Sequence, residues 1–297
     1  MLLIKGGEIM EGYMPMDTAE NLTIGNRNMQ DELVSATSGK QENGRITCVI
    51  GSNGGVGTTT TAVNLTASLV EVNRSLSVVL TDMSVPFGDV SVFLNLKSDP
   101  AWKSKWLSVA GNISGMDSAV LSSMLYRHSL GFSVLPSPEA LMGAAKVTSK
   151  IMEKLLASMR NLFDVVVIDG DHSYDDVSLK ILEMADTVFL VGTLSVSSLT
   201  NIKRLFQKFV GLPYPMREKV KVIINRHQKN SPVSFDDVEH IIGKKVFWQI
   251  PNDFSTAISA INQGETLSQV GARTEICKSF RELASRFLKS GQVAATG

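Results

Sequence analysis

Gly51-Ser52-Asn53-Gly54-Gly55-Val56-Gly57-Thr58-Thr59-Thr60-Thr61 packs four glycines and four threonines into eleven residues. An apolar run precedes it, Ile46-Thr47-Cys48-Val49-Ile50, of the kind that forms a buried parallel strand. The stretch leads into Ala62-Val63-Asn64-Leu65-Thr66-Ala67-Ser68-Leu69-Val70, which has the character of a helix. Strand, glycine-rich turn and helix form the setting of a phosphate-binding loop. Glycines let backbone amides curl around an anion. The helix start adds free N–H groups and the positive end of the dipole.

The loop departs from the common pattern G-x-x-x-x-G-K-[S/T]. With Gly57 as the second glycine, the first falls on Ser52, the lysine on Thr58 and the magnesium-binding hydroxyl on Thr59. From Gly54 to Leu65 the stretch resembles the deviant Walker A loop of the ParA/MinD family, K-G-G-V-G-K-T-T-T-A-x-N-L-A. That family has two lysines in the loop, and here Asn53 and Thr58 stand in their places. The resemblance implies nucleotide contacts from Asn53, Gly54, Gly55, Val56, Gly57, Thr58, Thr59 and Thr60, with ATP and magnesium as cofactors and Thr59 as a metal ligand. A lysine on the phosphates supplies a charge-assisted hydrogen bond of about 1.5–3 kcal/mol. Its loss weakens nucleotide binding by about tenfold to a hundredfold. Hydrolysis suffers more, because charge builds on the phosphoryl group in transit. The loop therefore reads as one that is not an efficient ATPase.

Working outward, Leu76-Ser77-Val78-Val79-Leu80-Thr81-Asp82 is a second apolar strand ending in an acid. The residues after it, Met83 to Leu96, resemble the D-L-D-L-Q-F-G-D-x-x-x-x-L-x-L segment of the CpaE/TadZ branch, the Flp (Tad) pilus assembly proteins. Asp82 takes the first acidic position and Ser84 replaces the second, while Phe87, Gly88 and Asp89 match. Phe163-Asp164-Val165-Val166-Val167-Ile168-Asp169 has the form of a Walker B strand. Asp169 would then hold magnesium through water at a carboxyl strand end. Asp171 and His172 follow, and read as polar loop residues. Lys219 to Ile224 is a strand that ends in Asn225-Arg226. In the resembled family the asparagine here recognises adenine and the arginine flanks the base. An amide, donor and acceptor together, suits that role. Ile250-Pro251-Asn252-Asp253 and Ala257 to Leu267 resemble the family's I-P-N-D…A-x-N-x-G-x-P-L segment, with Thr266 in place of proline.

Elsewhere the pattern is that of packed helices. Trp102 and Trp106 share one helical face, and Met116 to Tyr126 is amphipathic; the tryptophans read as an interface anchor or as part of a lid helix over the sheet. Helices are expected over about 147–161 and 197–210, the latter with Lys203, Arg204 and Lys208 on a solvated side. The last helix, about 273–289, carries Ile276, Phe280, Leu283, Ala284, Phe287 and Leu288 on one face and Lys278, Arg281, Arg286 and Lys289 on the other. Such a helix either closes the domain or lies on a membrane surface, as in MinD.

Composition narrows the function. The chain has 29 Lys+Arg against 29 Asp+Glu, a formal net charge of +0. It therefore lacks the excess positive charge on which a DNA-coating protein depends. Cys48 and Cys277, far apart in sequence, suggest neither a disulfide framework nor a metal site. No apolar run reaches a membrane span, and a cytoplasmic protein is expected. Residues 1–44 show little periodicity and are read as a mostly disordered arm, 45–290 as the folded domain and 291–297 as a flexible tail. Alternating buried strands and helices predict an α/β fold, a doubly wound and mostly parallel sheet flanked by helices. The resemblance implies a homodimer and a pilus assembly or polar localisation factor, at the pole or peripheral to the inner membrane. It would act by self-association and partner binding. The alternative is an active ATP-dependent dimerising switch in which Lys146, Lys150 or a partner's lysine replaces the missing charge. A DNA-binding partitioning protein ranks last.

Overall fold

The computed structural model describes residues 2–5, 8–11, 44–84, 88–96, 106, 117–137, 147–170, 173, 175–212, 216–228, 231 and 233–292. The chain divides into two units, 1–40 and 41–297. In the first, β1 (Leu2–Lys5) pairs antiparallel with β2 (Glu8–Glu11), in the register Leu2↔Glu11 to Lys5↔Glu8. Sequence periodicity placed no regular element here. Two short apolar-rich runs separated by Gly6-Gly7 are nonetheless the spacing of a two-residue hairpin. Residues 12–43, the bulk of the expected arm, lie outside the described residues.

The second unit opens with β3 (Arg45–Gly51), α1 (Thr58–Val72), β4 (Val78–Asp82) and the short α2 (Val90–Phe93). Next come α3 (Ser118–Ser123), β5 (Tyr126–Arg127), β6 (Ser133–Leu135), α4 (Ser149–Leu162) and β7 (Val165–Asp169). They are followed by α5 (Asp176–Met184), β8 (Thr187–Gly192), α6 (Val196–Phe209), α7 (Met216–Lys219) and β9 (Val220–His227). The unit ends with α8 (Phe235–Ile242), β10 (Val246–Pro251), α9 (Phe254–Gln263), α10 (Leu267–Gly271) and α11 (Glu275–Gln292).

The eight strands β3–β10 form one sheet in the order β10-β9-β8-β3-β7-β4-β6-β5. Every neighbouring pair is parallel except β5 with β6. The α/β class and the mostly parallel sheet are thus as expected. Strands β4, β7 and β8 are buried at every position, which is why they read as unbroken apolar runs rather than alternating ones. The chain runs from β3 to the β4 side and later returns to the β8 side. The reversal opens a crevice beyond the carboxyl end of β3, where ligands of open α/β sheets bind.

One core layer joins α1 and α11 to the sheet through Leu65, Leu69, Phe280, Leu283 and Phe287 against Val78, Leu80, Val167 and Phe189. On the other face, α4 and α5 lie on β3 and β7. The lid expected around the tryptophans is largely outside the described residues. Trp106 is buried, Trp102 and Met116 are not described, and the amphipathic run resolves into the short α3 followed by β5. The helix α8, which sequence periodicity did not single out, is set by a capping box: Asp237 N donates to Ser234 Oγ at 3.1 Å and Ser234 N to Asp237 Oδ2 at 3.0 Å.

Of the two roles expected for the last helix, the packing is that of a helix closing the domain. Ile276, Phe280, Leu283, Ala284 and Phe287 are all at most 4% exposed, so the apolar face of α11 is core. Lipid could reach it only if the helix left the sheet. No helix among the described residues is long and apolar enough to cross a membrane.

Candidate nucleotide site

The loop between β3 and α1 lies in the crevice. Gly57 caps α1 in the left-handed conformation, φ 94° and ψ 36°, and Gly55 also has positive φ. A side chain is strained there, which accounts for glycine. No side chain caps α1 and no acid stands in its first turn. The first-turn amides of Thr58, Thr59 and Thr60 are therefore open to an anion, and the helix dipole favours one. This cradle fits a nucleotide phosphate.

Oxygen donors for a divalent cation stand beside it. Thr59 Oγ1 donates to Asp169 Oδ2 at 2.8 Å, bringing two residues 110 positions apart to one point. Both are the hard ligands that magnesium prefers. Asp169 is fully buried at the end of β7. Burial and then the charge of Asp169 push the Cys48 thiol far up, so it stays protonated and inert. Among the described residues no group of three or more His, Cys, Asp or Glu side chains is assembled for a metal. A cation at Thr59 and Asp169 would therefore draw its remaining ligands from phosphate and water.

At the two positions where the resembled loop has lysine, the side chains turn inward or are short. Asn53 Oδ1 accepts from Ser52 Oγ at 2.8 Å and Asn53 Nδ2 donates to Gly54 O at 3.2 Å, so the amide closes on its own loop. The Thr58 hydroxyl lies beside Gly51, 2.5 Å from where a Cβ there would stand. Of the proposed substitutes, Lys150 is exposed in the first turn of α4, and Lys146 lies outside the described residues, as do Asp171, His172 and Phe87.

One of the expected ligands, Asn225, also braces the loop. Asn225 is buried at the carboxyl end of β9. Its Nδ2 donates to Val56 O at 2.8 Å and its Oδ1 accepts from Arg226 N at 2.8 Å. A Cβ on Gly57 would sit 2.3 Å from that Nδ2. The amide expected to read adenine clamps the loop in this structure, with one bond at each of its ends. Arg226, next along, is exposed and has φ 55°. Asp82 is likewise committed. Its Oδ1 accepts from Ser84 N at 3.0 Å and its Oδ2 from Val90 N at 3.0 Å. A Cβ on Gly88 would lie 2.5 Å from Asp82 Oδ2, so the glycine of the Gly88-Asp89 pair lets the backbone close on the carboxylate. Asp82 anchors the turn before α2.

Two supports escaped the sequence reading. Ser198 Oγ on α6 accepts from Thr193 N and bonds Ser52 Oγ, both at 2.8 Å. Asn64 Nδ2 donates to Thr60 O at 2.8 Å, while its Oδ1 accepts from Leu267 N at 2.8 Å. Asn64 belongs to the motif quoted above, so a signal for it existed; Ser198 had none. Through Asn64 the first turns of α1 are tied to α10.

Comparison with known proteins agrees with this geometry. A family model described as an AAA domain, AAA_31, matches residues 44–222. An uncharacterised ATP-binding protein of Methanocaldococcus jannaschii is 23% identical over 219 residues, 73% of this chain and 78% of that protein. A ParA family ATPase from Chlorobium tepidum superposes with a TM-score of 0.72 at 23% identity, covering 81% of this chain and 98% of that one. The septum site-determining protein MinD of Pyrococcus horikoshii, solved with Mg-ADP, gives 0.66 at 18% identity over 84% and 98%. The chain belongs to the AAA_31 family, among P-loop proteins of the ParA/MinD type.

Proposed function

We propose that this chain is an assembly or positioning factor of the Flp/Tad pilus type, a ParA/MinD-family protein in which nucleotide sets a structural state and turnover is slow or absent. One observation carries the reading: the phosphate cradle is intact in backbone while Asn53 and Thr58 replace both of its cations. The Flp/Tad assignment draws on the Gly88-Asp89 turn closed on Asp82. The working unit is 45–290, acting as a homodimer that binds assembly or polar proteins in the cytoplasm or at the inner membrane.

In this mechanism the amides of Thr58, Thr59 and Thr60 bind the phosphates, and Thr59 and Asp169 would hold magnesium. The cation supplies charge neutralisation at the phosphates when bound. Asn225 and the Ser52–Ser198 pair keep the loop in its binding shape in advance, which lowers the ordering cost of binding. No lysine of the loop stabilises charge on a transferring phosphoryl group, so hydrolysis loses the contribution that matters most.

Titration calorimetry with ATP and magnesium tests this, with Thr58→Lys in parallel. The variant is expected to bind about tenfold to a hundredfold tighter. Phosphate release by the natural protein at the rate of a lysine-bearing relative would overturn the proposal. The pilus assignment is tested separately, by whether cells lacking the protein still assemble Flp pili.

A further inference from the structure

At the end of the sheet opposite the loop, cations rest on aromatic rings. Arg45 opens β3, and its guanidinium carbon is 4.1 Å from the centroid of Phe287 while Nη1 donates to Phe287 O at 3.2 Å. Lys221 Nζ and Arg286 Cζ each lie 4.6 Å from the centroid of Phe247. Arg286 also lies 5.7 Å from Trp248, whose Nε1 is fixed by Ser279 Oγ at 3.0 Å. Among the described residues neither Lys221 nor Arg286 has a carboxylate partner; Arg45 alone has one nearby, Asp186. Lys221 Nζ donates to Ser290 Oγ at 3.2 Å, and among the described residues the charges that act on it are positive. Burial, then the fields of Arg45, Arg286 and Lys244, hold its ammonium below the ordinary lysine range.

We propose that Lys221, Arg286 and Arg45 form a docking surface for an acidic segment of a partner polypeptide. The rings hold the cations in place without neutralising them, so the site is charged and ordered before a partner arrives. Separate carboxylates on one chain match separate cations, and Arg286 is exposed to receive one in bidentate fashion. Single-stranded nucleic acid fits poorly, because Phe247 already carries two cations and offers no free face for a base, and the chain has no excess positive charge. A membrane surface fits poorly as well. Phe247 and Trp248 are half-buried and Phe287 is fully buried, so these rings offer no exposed apolar group to insert beside the charges.

The test is fluorescence anisotropy of the full chain with a fluorescein-labelled oligoglutamate peptide, at low and high salt. Salt-sensitive binding is expected, weakened by about tenfold or more in Lys221→Gln/Arg286→Gln. Lys221→Arg should retain binding, and Lys203→Gln/Lys208→Gln, on the solvated side of α6, should leave it unchanged. Circular dichroism checks that the double variant folds. Should it not, Arg286→Glu alone, altering an exposed side chain, must abolish binding if the proposal holds. Equal peptide binding by natural protein and variant would overturn it. So would binding of oligothymidine or phosphatidylglycerol vesicles, but not peptide, that depends on Lys221 and Arg286.

Discussion

At the carboxyl ends of the strands, Gly57 and the uncapped start of α1 shape a place for an anion, yet the loop carries no cationic side chain. At the amino ends, Lys221 and Arg286 present charge on the ring of Phe247. Shape and charge, usually found together in a phosphate site, are separated in this molecule. The loop holds its form without lysine because its internal bonds do not involve one. Asn225, Ser52 with Ser198, and Asn64 secure it from β9, α6 and α10. A lysine contributes affinity and transition-state charge, and its absence leaves the scaffold standing.

The largest expected effect probes shape. Gly57→Val places a branched side chain at positive φ and against Asn225, and should cost about 2–5 kcal/mol in urea unfolding. A loss below about 0.5 kcal/mol would show that the loop is not held as described. Next, Asn225→Ala strands the Val56 carbonyl and should cost about 1–3 kcal/mol. If stability held while nucleotide affinity fell, Asn225 would be a ligand and not a clamp. Asn64→Leu removes two bonds and should speed hydrogen exchange at the Leu267 amide by about tenfold, through a loss near 1.4 kcal/mol. An unchanged rate would break the tie between α1 and α10.

The smallest effect concerns charge. The folded pKa of Lys221 lies below its ordinary 10.5, so its ammonium is less favourable in the folded state than in the unfolded one. That penalty is complete below the folded pKa and is relieved as pH rises through it toward 10.5. Lys221→Met should therefore raise the thermal midpoint slightly at neutral pH and remove part of the alkaline gain. A lower midpoint would mean that the ring contact outweighs the repulsion.

Much of the fold was legible. The runs at Ile46–Ile50, Val78–Asp82, Val165–Asp169 and Thr187–Gly192 are strands because each is buried on both faces. The ends of α6 and α11 fell within a few residues of expectation, since amphipathic spacing is a local property. The hairpin Leu2–Glu11 and the helix α8 escaped because their signals are turn and cap chemistry and not periodicity. At the site, Thr59 and Asp169 meet although they are 110 positions apart. Asn225 and Asp82 hold backbone groups of neighbouring segments, contacts that their place in the chain did not announce. An amide or a carboxylate can serve ligand or backbone equally well, and only packing chooses.

The sequence by itself determined the cradle, because a left-handed glycine and a free helix start are properties of adjacent residues. It also showed the missing cations, which a one-residue comparison reveals. Tertiary structure alone decided that the apolar face of α11 is core and that Asn225 grips Val56. It likewise decided that cations from β3, β9 and α11 share one surface. Arg45 and Phe287 stand 242 positions apart. Contacts over such a separation depend on how the whole sheet is ordered, and no rule of local spacing extends that far.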